Sequence, residues 1–396
     1  MRMNAILSIA DLREAAKRCL PSGIFGYVDG AAEDQSSMRA NRSAFERWAF
    51  APHVLVDVSQ RSQSIELFGK TWQMPLGISP MGVCAVVAYD GDCALARAAA
   101  RAGVPFVLSA ASTTPMERVL RANPDTCYQA YLPARMEIIA PLLQRVRAAG
   151  VEVLVVTVDV PIASTRENEL RNGFSIPLRW TPRLAWSGML KPGWVLGTFM
   201  KTLARQGVPH FENFTAERGG PIIVAQKGDH RAGRAAMSWK EISAIRDLWK
   251  GKLVVKGILR AEDARTAESM GVDGVIVSNH GGRQLDGAVS TLQALPEIAA
   301  ATTHAAVIID SGFRRGTDVI KAMALGADFV FAGRPFMYGL AAGGEEGALR
   351  VLSLLRKEID IDLALLGCPD LAKVDGRYIR DMQAAAPTGR RNNKDV

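Results

Sequence analysis

Between residues 74 and 332 the chain alternates short, nearly unbroken apolar runs with stretches of helical periodicity. The runs are MPLGIS (74–79), PFVLS (105–109), TCYQA (126–130), VEVLVVTV (151–158), LVVK (253–256), GVIVS (274–278), AVIID (306–310) and DFVFA (328–332). Continuous β-branched and aliphatic runs are what strands covered on both faces require, so a parallel sheet flanked by helices is predicted. Helical patterns at 92–102, 135–148, 261–270 and 317–325 lie between the runs. Eight such units predict an α/β fold with a single (β/α)8 TIM barrel. An open doubly wound sheet is the competing arrangement, but no G-x-G-x-x-G turn follows the first run.

Two stretches fall outside the repeat. Residues 1–70 predict an N-terminal helical extension, and 167–238 a long insertion after the fourth strand. Residues 1–383 then form one barrel domain, and 384–396 a disordered tail. From Leu170 to Phe211 there is no acidic residue, while Arg171, Arg179, Arg183, Lys191, Lys201 and Arg205 occur there. Trp180, Trp186 and Trp194 are interleaved with Leu184, Met189, Leu190, Val195, Leu196, Phe199 and Met200. A basic, tryptophan-rich apolar segment suits a lipid interface, and Gly188, Pro192 and Gly193 interrupt it too often for a bilayer span. A lid on the barrel or a subunit contact is the other reading. The uncharged run from Thr71 to Tyr89 contains Pro75, Gly77, Pro80 and Gly82, which favours a buried strand and loop over a membrane helix.

Composition refines this picture only slightly. With 396 residues, 48% hydrophobic and 22% charged, the chain is an ordinary globular enzyme in make-up. A net charge of +8 points toward acidic substrates or anionic lipid. Nucleic acid is not expected, because no aromatic-interleaved basic run or helix-turn-helix pattern is present. Cys19, Cys84, Cys93, Cys127 and Cys368 are scattered and never spaced C-x-x-C, so neither a metal site nor a disulfide framework is expected. The apolar stretch from Ala5 to Ala10 is too short for a secretory core, and a cytoplasmic setting is predicted.

Barrel active sites sit at the C-terminal strand ends. Here those ends carry Pro80-Met81-Gly82, Ser109, Gln129 with Tyr131, Thr157 with Asp159 and Arg166, and Lys256. The last three carry Ser278-Asn279-His280-Gly281-Gly282-Arg283, Asp310-Ser311-Gly312-Phe313-Arg314 and Gly333-Arg334. Glycine loops after strands seven and eight are the usual phosphate site of this architecture, and an arginine in each favours phosphate over simple tight turns. His280 and Arg283, separated by two glycines, pair a group that takes protons near neutral pH with a fork that holds a carboxylate. Removal of hydrogen from a 2-hydroxy acid needs that combination.

The run SNHGGRQLDG (278–287) resembles the signature of the FMN-dependent 2-hydroxy-acid dehydrogenase and oxidase family. The fragments IDSGFRRGTDVIKAMALGAD and VKGILRAEDA match it too, and the likeness extends from about Leu7 to Ala372. It is strongest to bacterial membrane-associated members acting on mandelate and lactate. The resemblance implies His280 as base with Asp159 as its partner, and Arg283, Arg166 and Tyr27 on the substrate carboxylate. It implies Tyr131 on the substrate hydroxyl and Lys256 beside the FMN ring. Pro80, Met81, Gly82, Ser109, Gln129, Thr157 and Ser278 would face or bond the ring. Asp310, Gly312, Arg314, Gly333 and Arg334 would hold the rest of the cofactor and its phosphate.

The same likeness implies oxidation of an (S)-2-hydroxy acid to the 2-keto acid, a quinone or other electron acceptor, a homotetramer, and a peripheral place on the inner face of the cytoplasmic membrane. Oxidases of the family usually carry alanine where Gly82 stands, so a dehydrogenase is expected ahead of a peroxide-forming oxidase. Ala111 stands where glycolate oxidases carry tryptophan, and Ala163 where many relatives carry leucine, which predicts room for a bulky substrate. Trp180 or Met200 from the insertion would be the residues to refill that room. A flavin-free phosphate-binding lyase or isomerase would use the same loops without needing His280, Arg283, Arg166 and Lys256 together. A flavin-binding module without activity would have no use for His280 or Arg283.

Overall fold

The computed structural model describes residues 3–175, 177–178, 181–224 and 233–383. Eight parallel strands form the central sheet. Numbered in chain order, the barrel strands are β1 (Leu76–Ile78), β2 (Val107–Ser109), β3 (Cys127–Ala130), β4 (Val153–Thr157), β5 (Lys252–Ile258), β6 (Gly274–Val277), β7 (Ala306–Ile309) and β8 (Phe329–Ala332). Each pairs with its sequence neighbour, β8 pairs with β1, and a single Ile78–Phe106 bridge closes the ring between β1 and β2. Every strand falls within or across one of the eight apolar runs, and the helices fall between them.

The two-residue strand period divides the side chains into two cores. Val107, Cys127, Val155, Val254, Ile276, Ile308, Phe329 and Phe331 fill the barrel interior. The residues alternating with them, such as Leu108, Leu154, Val255, Val277 and Ile309, pack outward beneath the helices. Two residues above the interior layer come Ser109, Gln129, Thr157, Lys256, Ser278 and Asp310, all buried. Strand parity alone therefore sets a ring of polar groups on top of an apolar plug. Gly77 is needed in this packing, since a Cβ there would lie 2.5 Å from the Phe331 ring.

The N-terminal extension is helical at Ile9–Cys19, Ser22–Asp29 and Ser36–Ser43. Beyond Arg47 it carries β elements that a helical reading does not include. Trp48–Phe50 pairs with Ile379–Asp381 near the other end of the chain. Ile65–Leu67 and Lys70–Trp72 form a hairpin whose two-residue turn, Phe68 at φ +55° and Gly69 at φ +77°, has the left-handed geometry that matches strand twist. Leu67 and Trp72 from this hairpin close the lower end of the barrel interior. The insertion after β4 forms helices at Glu167–Arg171, Pro182–Met189 and Pro192–Trp194, then a π-helical turn running into Lys201–Gln206. Trp194 anchors it by donating to the Val86 carbonyl (2.9 Å), and the Lys191 ammonium donates to the Arg18 carbonyl (2.6 Å).

Candidate active site

A cavity of about 920 Å³ opens at the C-terminal ends of the strands. Its wall includes Tyr27, Pro80, Met81, Gly82, Tyr131, Thr157, Arg166, Lys256, His280, Arg283, Asp310, Gly312, Arg314, Gly333 and Arg334. Ser109, Gln129, Asp159 and Ser278, also singled out from the sequence, are not part of that wall. Ser109 donates to Gln129 Oε1 (3.0 Å). Ser278 Oγ accepts from Lys256 Nζ (2.7 Å) and from the His280 N–H (3.1 Å), so it supports the two side chains in front of it.

The loop after β6 has three left-handed residues in succession, His280 (φ +57°), Gly281 (φ +68°) and Gly282 (φ +74°). A non-glycine residue in this region is strained, and such strain persists only where the surroundings over-determine it. They do so here. Asn279 and Asn41 exchange amide hydrogen bonds (2.8 and 2.9 Å), and Asn279 Oδ1 also accepts from the Gly282 N–H. Gly281 N–H donates to Ser311 Oγ (2.9 Å). A Cβ at Gly282 would lie 2.6 Å from the Met38 nitrogen, so the Ser36–Ser43 helix can approach only a glycine.

This turn aims the imidazole into the cavity. Asp159 Oδ1 lies 3.0 Å from His280 Nδ1, and the Tyr131 hydroxyl lies 3.4 Å from Nε2. Burial pushes the His280 pKa below its usual value. Asp159 opposes that shift and Lys256 adds to it, so the ring is held neutral near neutral pH. Burial alone would raise Asp159, but His280 and Lys256 outweigh it and keep the carboxyl ionised. Lys256 is buried and ion-paired with Asp310 at 3.2 Å, and Asp310 and Asp159 together hold its pKa above the usual ammonium value against desolvation.

Two arginines face the cavity from the loops that follow β4 and β6. Arg283 donates to the Tyr27 and Gly30 carbonyls (2.8 Å each), and its guanidinium sits 5.0 Å from the Tyr27 ring centre. Arg166 donates to Ser164 Oγ (3.0 Å) and Gln284 Oε1 (3.0 Å). Glu169 Oε1 accepts from Arg283 Nη2 at 2.8 Å and lies 3.5 Å from Arg166 Nη1. Tyr27 donates to the Gly82 carbonyl (3.2 Å), and burial pushes its phenol up to about 12. Arg334 shares the Gly30 carbonyl with Arg283 and also donates to the Gly281 carbonyl. Its guanidinium is pushed down to about 9 by burial and by the nearby Arg283 and Arg314.

Sequence reasoning missed Glu169, Ser164 and Gln284. Glu169 carried one usable signal, its position three residues after Arg166 on what becomes one helical turn. Gln284 carried none, because its partner Arg166 meets it only across folded loops, and Ser164, two residues before Arg166, enters the site by donating to the distant Arg283 carbonyl.

The sequence profile of the FMN-dependent dehydrogenase family matches residues 16–381. The chain is 41% identical over 377 residues to (S)-mandelate dehydrogenase of Pseudomonas putida, covering 95% of this chain and 94% of that one. It is 38% identical over 385 residues to an L-lactate dehydrogenase of Pseudomonas aeruginosa, covering 96% of this chain and all of the other. Among solved structures, it resembles one described as the monotopic membrane protein (S)-mandelate dehydrogenase, with a TM-score of 0.88, 40% identity and coverage of 95% and 100%. A mandelate oxidase structure matches with a TM-score of 0.78 at 33% identity, covering 95% of this chain and 98% of that one.

Proposed function

Because the chain belongs to the FMN-dependent dehydrogenase family, we propose that its barrel mouth oxidises bulky (S)-2-hydroxy acids, with His280 as base and electrons leaving to a membrane quinone. The protein is an FMN-dependent oxidoreductase acting on 2-hydroxy acids. The residues present fit that cofactor. Gln129 Nε2, Thr157 Oγ1 and Arg334 Nε are buried without a hydrogen-bond partner beneath and beside the cavity, and an anion next to Arg334 would relieve its desolvation. Thr157, Gln129 and Lys256 would hold the ring, and Arg314, Arg334 and the Gly312 and Gly333 backbone the phosphate. FMN, when bound, supplies the two-electron acceptor that no side chain provides.

The chain's own residues do the rest. Arg283 and Arg166 bind the substrate carboxylate, aided by the Tyr27 hydroxyl. Tyr131 bonds the substrate hydroxyl, and His280 Nε2 takes the proton. Asp159 fixes the tautomer and stabilises the imidazolium that results. The observation that carries this reading is the Asp159–His280–Tyr131 chain of contacts at 3.0 and 3.4 Å, in one cavity with two arginines. The test is anaerobic mixing of the yellow holoprotein with a 2-hydroxy acid. Bleaching is expected, and no bleaching with glycolate, lactate, 2-hydroxyoctanoate or mandelate would overturn the reading. A flavin-free lyase would show neither colour nor bleaching.

Substrate size follows from the apolar wall. Ala111 and Ala163 both line the cavity, together with Phe174, Phe211 and Phe214. Met200 is half exposed and absent from this wall, and Trp180 lies outside the described residues. Two small residues and three rings in one wall leave space for an aryl or long alkyl group. Mandelate is therefore expected to be preferred over glycolate, and Ala163→Leu to lower kcat/KM for mandelate about tenfold. Displacing about two methylenes' worth of burial, at ~0.8 kcal/mol each, accounts for that factor. An unchanged mandelate rate in Ala163→Leu would refute the argument.

The acceptor is read from Gly82. A Cβ there would lie 3.0 Å from Ala111 Cβ and 3.6 Å from the Tyr27 hydroxyl, at the cavity wall. Glycine at this position is the dehydrogenase pattern, so dye or quinone reduction should far outrun peroxide formation in air-saturated buffer. Stoichiometric peroxide at a comparable rate would favour the oxidase reading.

The insertion supports a lipid contact. Trp186 (63% exposed), Met189, Leu190 and Leu196 (69%) are exposed on this segment, which also carries Arg183 and Arg205. Trp194 and Lys191 are instead spent on anchoring it, and Arg179 lies outside the described residues. No helix among the described residues is long and apolar enough to cross a membrane. Binding to anionic vesicles that weakens as salt rises is expected from this mixture of apolar and basic groups. Trp186→Ser with Leu196→Ser should release the protein from vesicles without changing its activity on soluble dyes. A homotetramer is the proposed assembly, checked by light scattering in detergent.

A further inference from the structure

Glu169 stands between the two guanidinium groups assigned to the substrate carboxylate, yet that role does not require it. Its side chain is 15% exposed, as is that of Arg283, and it comes from the five-residue helix Glu167–Arg171 at the start of the insertion. One oxygen, Oε1, contacts both Arg283 (2.8 Å) and Arg166 (3.5 Å). Burial lowers the Arg283 pKa, and the nearby Arg166 lowers it further. A resident carboxylate offsets that repulsion and draws both forks toward one point.

The charge balance has a consequence for what can bind. Two positive charges and one negative leave a net charge of +1 facing the cavity. One incoming carboxylate neutralises this three-residue cluster; Arg334, which shares the Gly30 carbonyl with Arg283, is assigned to the cofactor phosphate, and Arg234 lies over the Tyr131 ring, so a second negative charge brought to the cluster itself meets Glu169. We propose that Glu169 is a resident counter-ion that positions Arg283 and Arg166 and restricts the site to acids with a single negative charge. This rests on the reading of those arginines as the carboxylate clamp. Glu169 acts through the arginines, and the acids it excludes are 2-hydroxy dicarboxylates and other small dianions.

The test uses FMN-loaded protein and two competitive anions, acetate and malonate, measured against mandelate oxidation. Glu169→Gln is nearly isosteric, and its amide oxygen still accepts from Arg283, so geometry is kept while the charge is removed. Inhibition by acetate is expected to tighten on the order of fivefold, and by malonate on the order of twentyfold, because the dianion feels the lost charge twice. The KM for mandelate should fall. Glu169→Asp retains the charge and should retain the preference for acetate over malonate. An acetate-to-malonate ratio unchanged in Glu169→Gln, or equal weakening of both, would reduce Glu169 to a strut and overturn the proposal. Arg283→Lys separates this from failure of the clamp itself. If acetate binding is indifferent to that change, the arginine assignment is wrong. If acetate weakens while the Glu169→Gln ratio stays put, only the counter-ion role falls.

Discussion

His280→Ala is expected to retain FMN and its yellow colour but to lose flavin reduction by 2-hydroxy acids by roughly 10²–10⁴-fold, the usual contribution of a positioned general base. The side chain donates nothing to the polar ring beneath it. Lys256 keeps Ser278 and Asp310, and the backbone N–H of residue 280 still reaches Ser278. Cofactor affinity and proton abstraction are therefore separable at this position. The pH profile provides a second check. Burial depresses the His280 pKa, so kcat/KM should stay level down through the ordinary imidazole range and fall only at lower pH, as the ring becomes protonated. Asp159→Asn removes the neighbour that most favours the charged ring. Its acid limb should move to still lower pH while the plateau drops, because the imidazolium formed in the reaction loses its partner. A His280→Ala variant reduced at a near-normal rate would exclude this histidine as the base.

Arg283→Lys is the second large effect expected, with kcat/KM falling about 100-fold, or ~2.7 kcal/mol. Arg283 spends its Nη1 on two backbone carbonyls of the N-terminal extension and one Nη2 hydrogen on Glu169, which fixes the plane of the fork. A lysine ammonium has neither the planarity nor the number of donors to keep those bonds and also hold a carboxylate from the side. It would also remove a donor from the Tyr27 carbonyl and leave the Gly30 carbonyl to Arg334, so the loss should appear mainly in KM with a smaller fall in the reduction rate constant. Stopped-flow reduction over a range of mandelate concentrations distinguishes the two, and a KM unchanged by the substitution would contradict the clamp assignment.

The barrel could be read from the sequence because its information is local. Runs such as VEVLVVTV and AVIID can be satisfied only by strands covered on both faces, and all eight became neighbours in one ring. The polar ring was equally local. Once Val155 and Ile276 face inward, strand period places Thr157 and Ser278 inward as well. The glycines around His280 marked a loop that must adopt left-handed conformations. Less legible were segments whose pattern is short or mixed. The Ile65–Trp72 hairpin has two strands of three residues, too few to register against the helical signals before it, although Phe68-Gly69 is a turn in its own right.

Tertiary structure alone decided which of these groups meet. Tyr27 reaches Gly82 and Arg283 from a helix at the far end of the chain, because Asp29 on the same helix is held by Arg13 and Tyr338. Asn41 locks the histidine loop across 238 residues of sequence, and Glu169 joins Arg283 across 114. The physical reason is one of range. Apolar periodicity and turn chemistry act over a few residues, so the sequence determines the strands, the inward-facing polar ring and the glycine loops after the last strands. The distances that make those groups into a site depend on how an extension and an insertion pack over the barrel mouth, and no local pattern encodes that.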